Sequence, residues 1–133
     1  MTEILDQVSR NDLVNYRISR AEETLREATL LAGESHFNAA INRLYYACFY
    51  SISAVLVKKG VVASSHSGVK TMFNLHIISK GVLPIEYGKT FSRLFEIRHS
   101  GDYDDFVYCD QEMYDTYAPK AKSIVEAIKV LIE

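Results

Sequence analysis

The residues best placed to do chemistry gather near the end of one helix. Arg98 follows Phe91 by seven positions, Leu94 by four and Phe95 by three. On a helix that spacing sets it at the end of an apolar, core-facing stripe. Arginine is almost never buried without partners. One reading of Arg98 is a snorkelling side chain that caps the last carbonyls of its helix and complements the helix dipole. The other is a cation held in a partly enclosed cleft, gripping phosphate through its fixed fork of donors. Asp102 and Tyr103 follow within five residues, past the expected helix end, where a turn would fold them back toward Arg98. Asn42 and Arg43 interrupt an apolar segment and need partners if buried. With Asp102 they form an ordering network, a ligand-binding group, or both. His66, in Ser64-Ser65-His66-Ser67-Gly68, either caps the helix that follows or approaches the cleft. His99 adjoins Arg98 but lies about 100° round the helix. His36 and His76 read as structural.

Other chemistries lack their signatures. The sequence has no Gly-rich phosphate loop, GxSxG, HExxH or CxxC pair. Asp102, Asp104, Asp105 and Asp110 match no EF-hand spacing and read as a solvated acidic loop, so no metal and no cofactor are expected. Lys and Arg total 15 against 17 Asp and Glu, a net charge of −2, so any polyanion site must be local. Cys48, inside the apolar run Leu44–Tyr50, reads as a buried structural thiol, whereas Cys109 lies in a polar, acidic segment. Without a CxxC pair or a secretory signal, free thiols and a cytoplasmic location are expected. The run Leu44–Tyr50 is far short of the roughly 20 residues that cross a bilayer, so no membrane is expected.

The elements that must position these residues are helical. The chain has 133 residues, 48% of them hydrophobic, with only 2 Pro and 6 Gly. That suits one domain over 1–133 and disfavours an all-β fold, which needs more turn residues. Helices are expected over about Asp12–Ala32, His36–Lys59, Gly68–Ser79 and Pro84–His99, with a last one after Asp110. Asn11 or Asp12 would cap the first and Gly33 would end it. Its apolar face reads Leu13, Arg17, Ala21, Leu25, Ala28 and Leu31. The second is apolar nearly all round and therefore central. Pro119 should kink the last helix or mark its true start. The expectation is an all-α, up-and-down four-helix bundle with one additional short helix. The 9 tyrosines crowd the second helix and the segment after Arg98.

The run Asn42-Arg43-Leu44-Tyr45-Tyr46-Ala47-Cys48-Phe49-Tyr50 resembles the NRxYYAxF signature of HEPN domains. Ser65-His66-Ser67-Gly68 and Arg98-His99-Ser100-Gly101-Asp102-Tyr103 are similar to that family's later signatures. The resemblance spans about Asp12 to Ile132. It implies a helical bundle, a homodimer, and pairing with a minimal nucleotidyltransferase in a toxin–antitoxin module. It also implies binding of nucleotide or RNA phosphate near Arg98, with Asn42, Arg43, His66 and Asp102 around it. Many relatives are metal-independent ribonucleases, with an Arg, a polar residue and a later His as catalytic residues. Arg98 and His99 match the first two, and Tyr103 stands at the His position. With an unperturbed pKa near 10, tyrosine is a poor base at neutral pH, so phosphate binding is the first expectation. An endoribonuclease toxin or a non-catalytic helical adaptor is the alternative. If a nucleotidyltransferase partner modifies the chain, Tyr103 or Tyr108 is the expected acceptor.

Overall fold

Six consecutive residues, Ser51, Ile52, Ser53, Ala54, Val55 and Leu56, are buried. Such a run turns through more than a full circle of helix, so its helix must have neighbours on every side. The computed structural model describes residues 6–103 and 108–133, with the backbone alone described over 100–103. Its helices are α1 (Gln7–Gly33), α2 (Phe37–Lys58), α3 (His66–Phe73), α4 (Ile85–Tyr103) and α5 (Gln111–Ile132), and a wider π-type turn over Asn74–Ile78 continues α3. The central helix is α2, packed against α1, α3, α4 and α5. The fold is the expected all-α bundle of four long helices and one short one.

The long helices alternate in direction. Arg20 of α1 faces Tyr50 of α2, and Glu27 faces Arg43, so α1 and α2 run antiparallel. At one end Phe37 meets Tyr114, and at the other Lys58 Nζ donates to the Ile132 carbonyl, so α2 and α5 run parallel. Small residues let α1 and α2 approach closely, with Ala21 and Ala47 packed together beside Val125. By length and composition α2 would also cross a membrane, but 67% of its most apolar stretch is buried inside the fold. That is the pattern of a core helix.

Local chemistry explains most boundaries and corrects several expected ones. The first helix starts five residues earlier than Asp12, because Asp6 is the cap and its carboxylate accepts from Ser9 N at 2.8 Å. Asn11 and Asp12 lie inside the helix, exposed. The buried stripe of α1 is Val14, Ile18, Ala21, Thr24 and Ala28, one residue round from the expected Leu13 and Arg17. Gly60 (φ +74°) takes the left-handed position that ends α2, with Val61 N bonded to Leu56 O and Gly60 N to Val57 O. This is a Schellman motif. The same pair of bonds ends α1, but the left-handed residue is Ser35 (φ +63°), not Gly33.

An L side chain in that region costs roughly 1–2 kcal/mol, and glycine avoids it at some entropic cost of its own. Ser35→Gly should therefore stabilise the chain by about 0.5–1 kcal/mol and raise Tm by about 2–4 °C. A circular-dichroism melt checks this, and an unchanged or lower Tm would show the turn to be unstrained.

The cap of α3 is Ser65, which accepts from Gly68 N. The backbone of α4 stays helical through Gly101 to Tyr103, so the expected break at Ser100 does not occur there. The last helix begins after Asp110, as expected; Asp110 caps it, and the helix runs through Pro119, which is not its start. Both cysteines are free and buried. Desolvation pushes the Cys48 thiol up to about 12, leaving it protonated and inert. Cys109 is only 4% exposed despite its polar sequence neighbours. Its N–H donates to Asn38 Oδ1, tying the start of α5 to the start of α2.

Candidate functional site

Tyr45 and Tyr46, adjacent on α2, look in different directions and organise two halves of one site. Tyr45 points into the core and is fully buried. Its ring stacks on Phe91 of α4 at 5.5 Å and 3°, and meets His66 of α3 at 5.8 Å. A buried phenol needs a polar partner, and its hydroxyl lies 2.8 Å from His66 Nδ1. Desolvation, with Tyr46 adding to it, raises the Tyr45 pKa far above the ordinary value. The hydroxyl therefore keeps its proton, and it can donate to His66 Nδ1 or accept from it according to the histidine tautomer. His66 also stacks on Phe49 at 4.5 Å. It is not the cap of α3, a role Ser65 fills, but a member of the cluster between α2, α3 and α4.

His99 joins the same cluster, contrary to its expected outward setting. Its ring stacks on Phe95 at 4.0 Å and lies 5.8 Å from His66 and 6.2 Å from Tyr45. The reason is the i,i+4 spacing of Phe95 and His99, which widens the apolar stripe of α4. His99 Nδ1 lies 2.8 Å from the Phe95 carbonyl oxygen. A carbonyl only accepts, so Nδ1 carries the proton and Nε2 is the basic nitrogen of the neutral ring.

Tyr46 is half-buried at the surface end of the cluster, and two arginines meet on it. Arg98 Nη2 donates to the Tyr46 hydroxyl at 2.9 Å, with its guanidinium 5.4 Å from the ring centroid. The Arg43 guanidinium lies 5.0 Å from the same centroid. Such contacts contribute about 0.5–2 kcal/mol each, depending on desolvation. Arg43 also donates to Asn42 Oδ1 and pairs with Glu27 at 3.4 Å. A third cation, Lys70 of α3, sits 4.6 Å over Phe95. A chain with net charge −2 thus concentrates Arg43, Arg98 and Lys70 around two histidines.

Tyr46 thus joins Arg98 to Arg43 and Asn42, and Tyr45 joins His66 to His99. The side chains of Asp102 and Tyr103 lie outside the described residues, as do Asp104 and Asp105; Asp102 belongs to α4, one turn past Arg98, and not to a turn folding back. Spacing does not single out Tyr46, though its place three residues after Arg43 on one helix face is a signal for it.

Residues 14–131 match the family model of the HEPN domain. The chain belongs to the HEPN family. A UPF0332 protein of Thermotoga maritima is 39% identical over 124 residues, covering 93% of this chain and 94% of that protein. A Methanocaldococcus jannaschii protein named "Putative toxin MJ0605" is 30% identical over 112 residues, covering 84% and 83% respectively. A UPF0332 protein of Gloeobacter violaceus is 37% identical over 86 residues, covering 65% of this HEPN chain and 68% of its own.

Proposed function

We propose that this HEPN chain is the toxin-type member of a toxin–antitoxin module and binds RNA or nucleotide phosphate at Arg98. The observation that carries the reading is the convergence of Arg98 and Arg43 on the Tyr46 ring. The rigid fork of a guanidinium suits phosphate oxygens, and the ring offers a face to a base. The archaeal relative named as a toxin supports the toxin-type assignment. The chain acts as one HEPN unit in the cytoplasm. A homodimer brings two copies of Arg98 to one cleft, and a minimal nucleotidyltransferase is its partner. Tyr108, 76% exposed, and Tyr103 are the acceptors that such a partner would modify.

A second reading is favoured by one specific contact, the 2.8 Å approach of His99 Nδ1 to the Phe95 carbonyl oxygen beside Arg98, which leaves Nε2 as the nitrogen able to take a proton. Metal-free RNA cleavage needs a base for the 2′-hydroxyl and a cation for the charge that develops at phosphorus. His99 Nε2 supplies the base and Arg98 the cation, so the protein does not depend on a histidine at position 103. Labelled single-stranded RNA mixed with the purified chain in EDTA separates the readings. Binding without cleavage supports the phosphate-binding module. Cleavage that disappears in His99→Ala and in a 2′-deoxy substrate supports the endoribonuclease. Neither binding nor cleavage would overturn both readings and leave the helical adaptor.

A further inference from the structure

Beyond Arg98, the same edge of the bundle carries a second cation–ring pair. Arg20 of α1 lies with its guanidinium 5.2 Å from the Tyr50 ring centroid. Tyr50 stands one turn after Tyr46 on α2, with the two centroids 6.0 Å apart. Because α1 and α2 run antiparallel, Arg20 sits opposite Tyr50 and Glu27 opposite Arg43. Along α2 the edge runs Arg43, Tyr46, Tyr50, with Arg98 against Tyr46, Arg20 against Tyr50, and Glu27 of α1 between Arg43 and Arg20. Both rings are half-buried, so each keeps an accessible part.

Glu27 is the feature that needs an explanation. One of its oxygens lies 3.4 Å from Arg43 Nη1 and the other 3.9 Å from Arg20 Nη1. Arg20 also pairs with Glu23 at 2.5 Å. Glu27 is thus a single carboxylate between two guanidiniums, each lying against a tyrosine. Its side chain is 39% exposed, so both ion pairs are of the weak, solvent-screened kind. A phosphate group has the charge and oxygen geometry to take its place between the same two forks.

We infer that Arg20, Tyr50, Arg43 and Tyr46 form a track for single-stranded RNA leading to Arg98, with Glu27 occupying its central phosphate position until RNA displaces it. The inference rests on the phosphate-binding role of Arg98 proposed above and names the polymer that the site takes. Alternating cations and tyrosine faces are how proteins follow a single strand without reading its sequence, the cations holding the backbone and the rings stacking bases. From Arg43 to Tyr50 the helix rises about 10 Å, so the track exceeds one nucleotide. A lone nucleotide with its phosphate on Arg98 and its base on Tyr46 leaves Tyr50 and Arg20 uncovered. The strand is therefore held more tightly than its component nucleotides.

Fluorescence anisotropy with two labelled 2′-fluoro RNA probes tests this, since neither can be cut through a 2′-hydroxyl. One probe is a single nucleotide and the other an unstructured strand of about twelve nucleotides. Wild type should bind the long probe at least about tenfold more tightly than the short one. Tyr50→Ala should cost about tenfold on the long probe and leave the short one unchanged. Arg20→Ala should flatten the salt dependence of long-probe binding by about 0.7 of a log unit per log unit of salt. Glu27→Gln should tighten long-probe binding, a gain that misfolding does not produce.

Equal affinity for the two probes, or wild-type binding by all three variants, overturns the track and leaves the Arg98 reading standing. Failure of wild type to bind either probe overturns the Arg98 reading as well. If the variants change the sedimenting mass of the protein while RNA affinity stays constant, the edge is an interface between chains, and the track is again overturned.

Discussion

Tyr45→Ala is expected to be the most destabilising single substitution in the cluster. The ring is fully buried and packs against His66 of α3 and Phe91, Phe95 and His99 of α4. Removing an aromatic side chain from such a place costs about 3–5 kcal/mol through lost burial and the cavity left behind. A domain has only about 5–15 kcal/mol of stability to lose. The same change takes the hydroxyl from His66 Nδ1, adding the cost of a poorly satisfied polar atom. Tyr45→Phe separates the two contributions. It keeps the ring and removes only the hydrogen bond, so it should cost about 1 kcal/mol. Urea denaturation checks both, with the midpoint falling and the slope unchanged if the loss is one of stability alone. A Tyr45→Ala loss below about 2 kcal/mol would mean that α3 and α4 close over the gap and that the ring is not what joins them to α2.

The fold is legible where a segment's chemistry has one interpretation. The run from Phe37 to Lys58 carries apolar side chains all round, and only a central helix can bury them. Gly60 and Gly81 end their elements through a left-handed backbone that glycine adopts freely. Legibility fails where several residues qualify for one role. Asp6, Asn11 and Asp12 are all competent caps, and only the length of helix that packs against α2 selects Asp6. Along α1 the stripes beginning at Leu13 and Val14 differ by one residue, and both pass through Ala21 and Ala28. Packing decides in favour of Val14 and Ile18. Gly101 reads as a stop, yet a glycine within a helix costs only about 1 kcal/mol, and α4 continues through it.

The candidate site divides in the same way. Spacing assigns Arg98 to the core-facing edge of α4 but cannot name its partner, because Tyr46 lies 52 positions away on another helix. For His66 spacing leaves two roles, and the choice follows from the buried Tyr45 hydroxyl 2.8 Å from its Nδ1 and from Ser65, which caps α3 instead. His99 is misplaced by angular reasoning alone. The 100° step from Arg98 is right, but Phe95 one turn earlier draws the His99 ring inward by stacking. Helical periodicity thus identifies faces, whereas pairings across faces come from tertiary packing.

Arg98 decides between a binding centre and a structural adaptor, and the decisive comparison is Arg98→Lys with Arg98→Ala. Arg98 makes a charged hydrogen bond to Tyr46 at 2.9 Å, so either change disturbs the folded chain. Because Arg98 and Tyr46 are both half-buried, that cost should be about 1–2 kcal/mol and similar for both. RNA binding should separate them from each other and from wild type. Hydrogen bonds to a charged group contribute about 1.5–3 kcal/mol, so Arg98→Ala should weaken binding roughly 10- to 100-fold and reduce the salt slope by about 0.7. Lysine restores the charge but not the planar fork. Arg98→Lys should therefore recover the salt slope while regaining only part of the affinity. If Arg98 only orders the core, both variants lose stability and bind RNA as wild type does in their folded fraction. Titrations at two salt concentrations, corrected for that fraction, distinguish the cases. Only a phosphate contact makes charge govern the salt slope while guanidinium geometry governs the affinity.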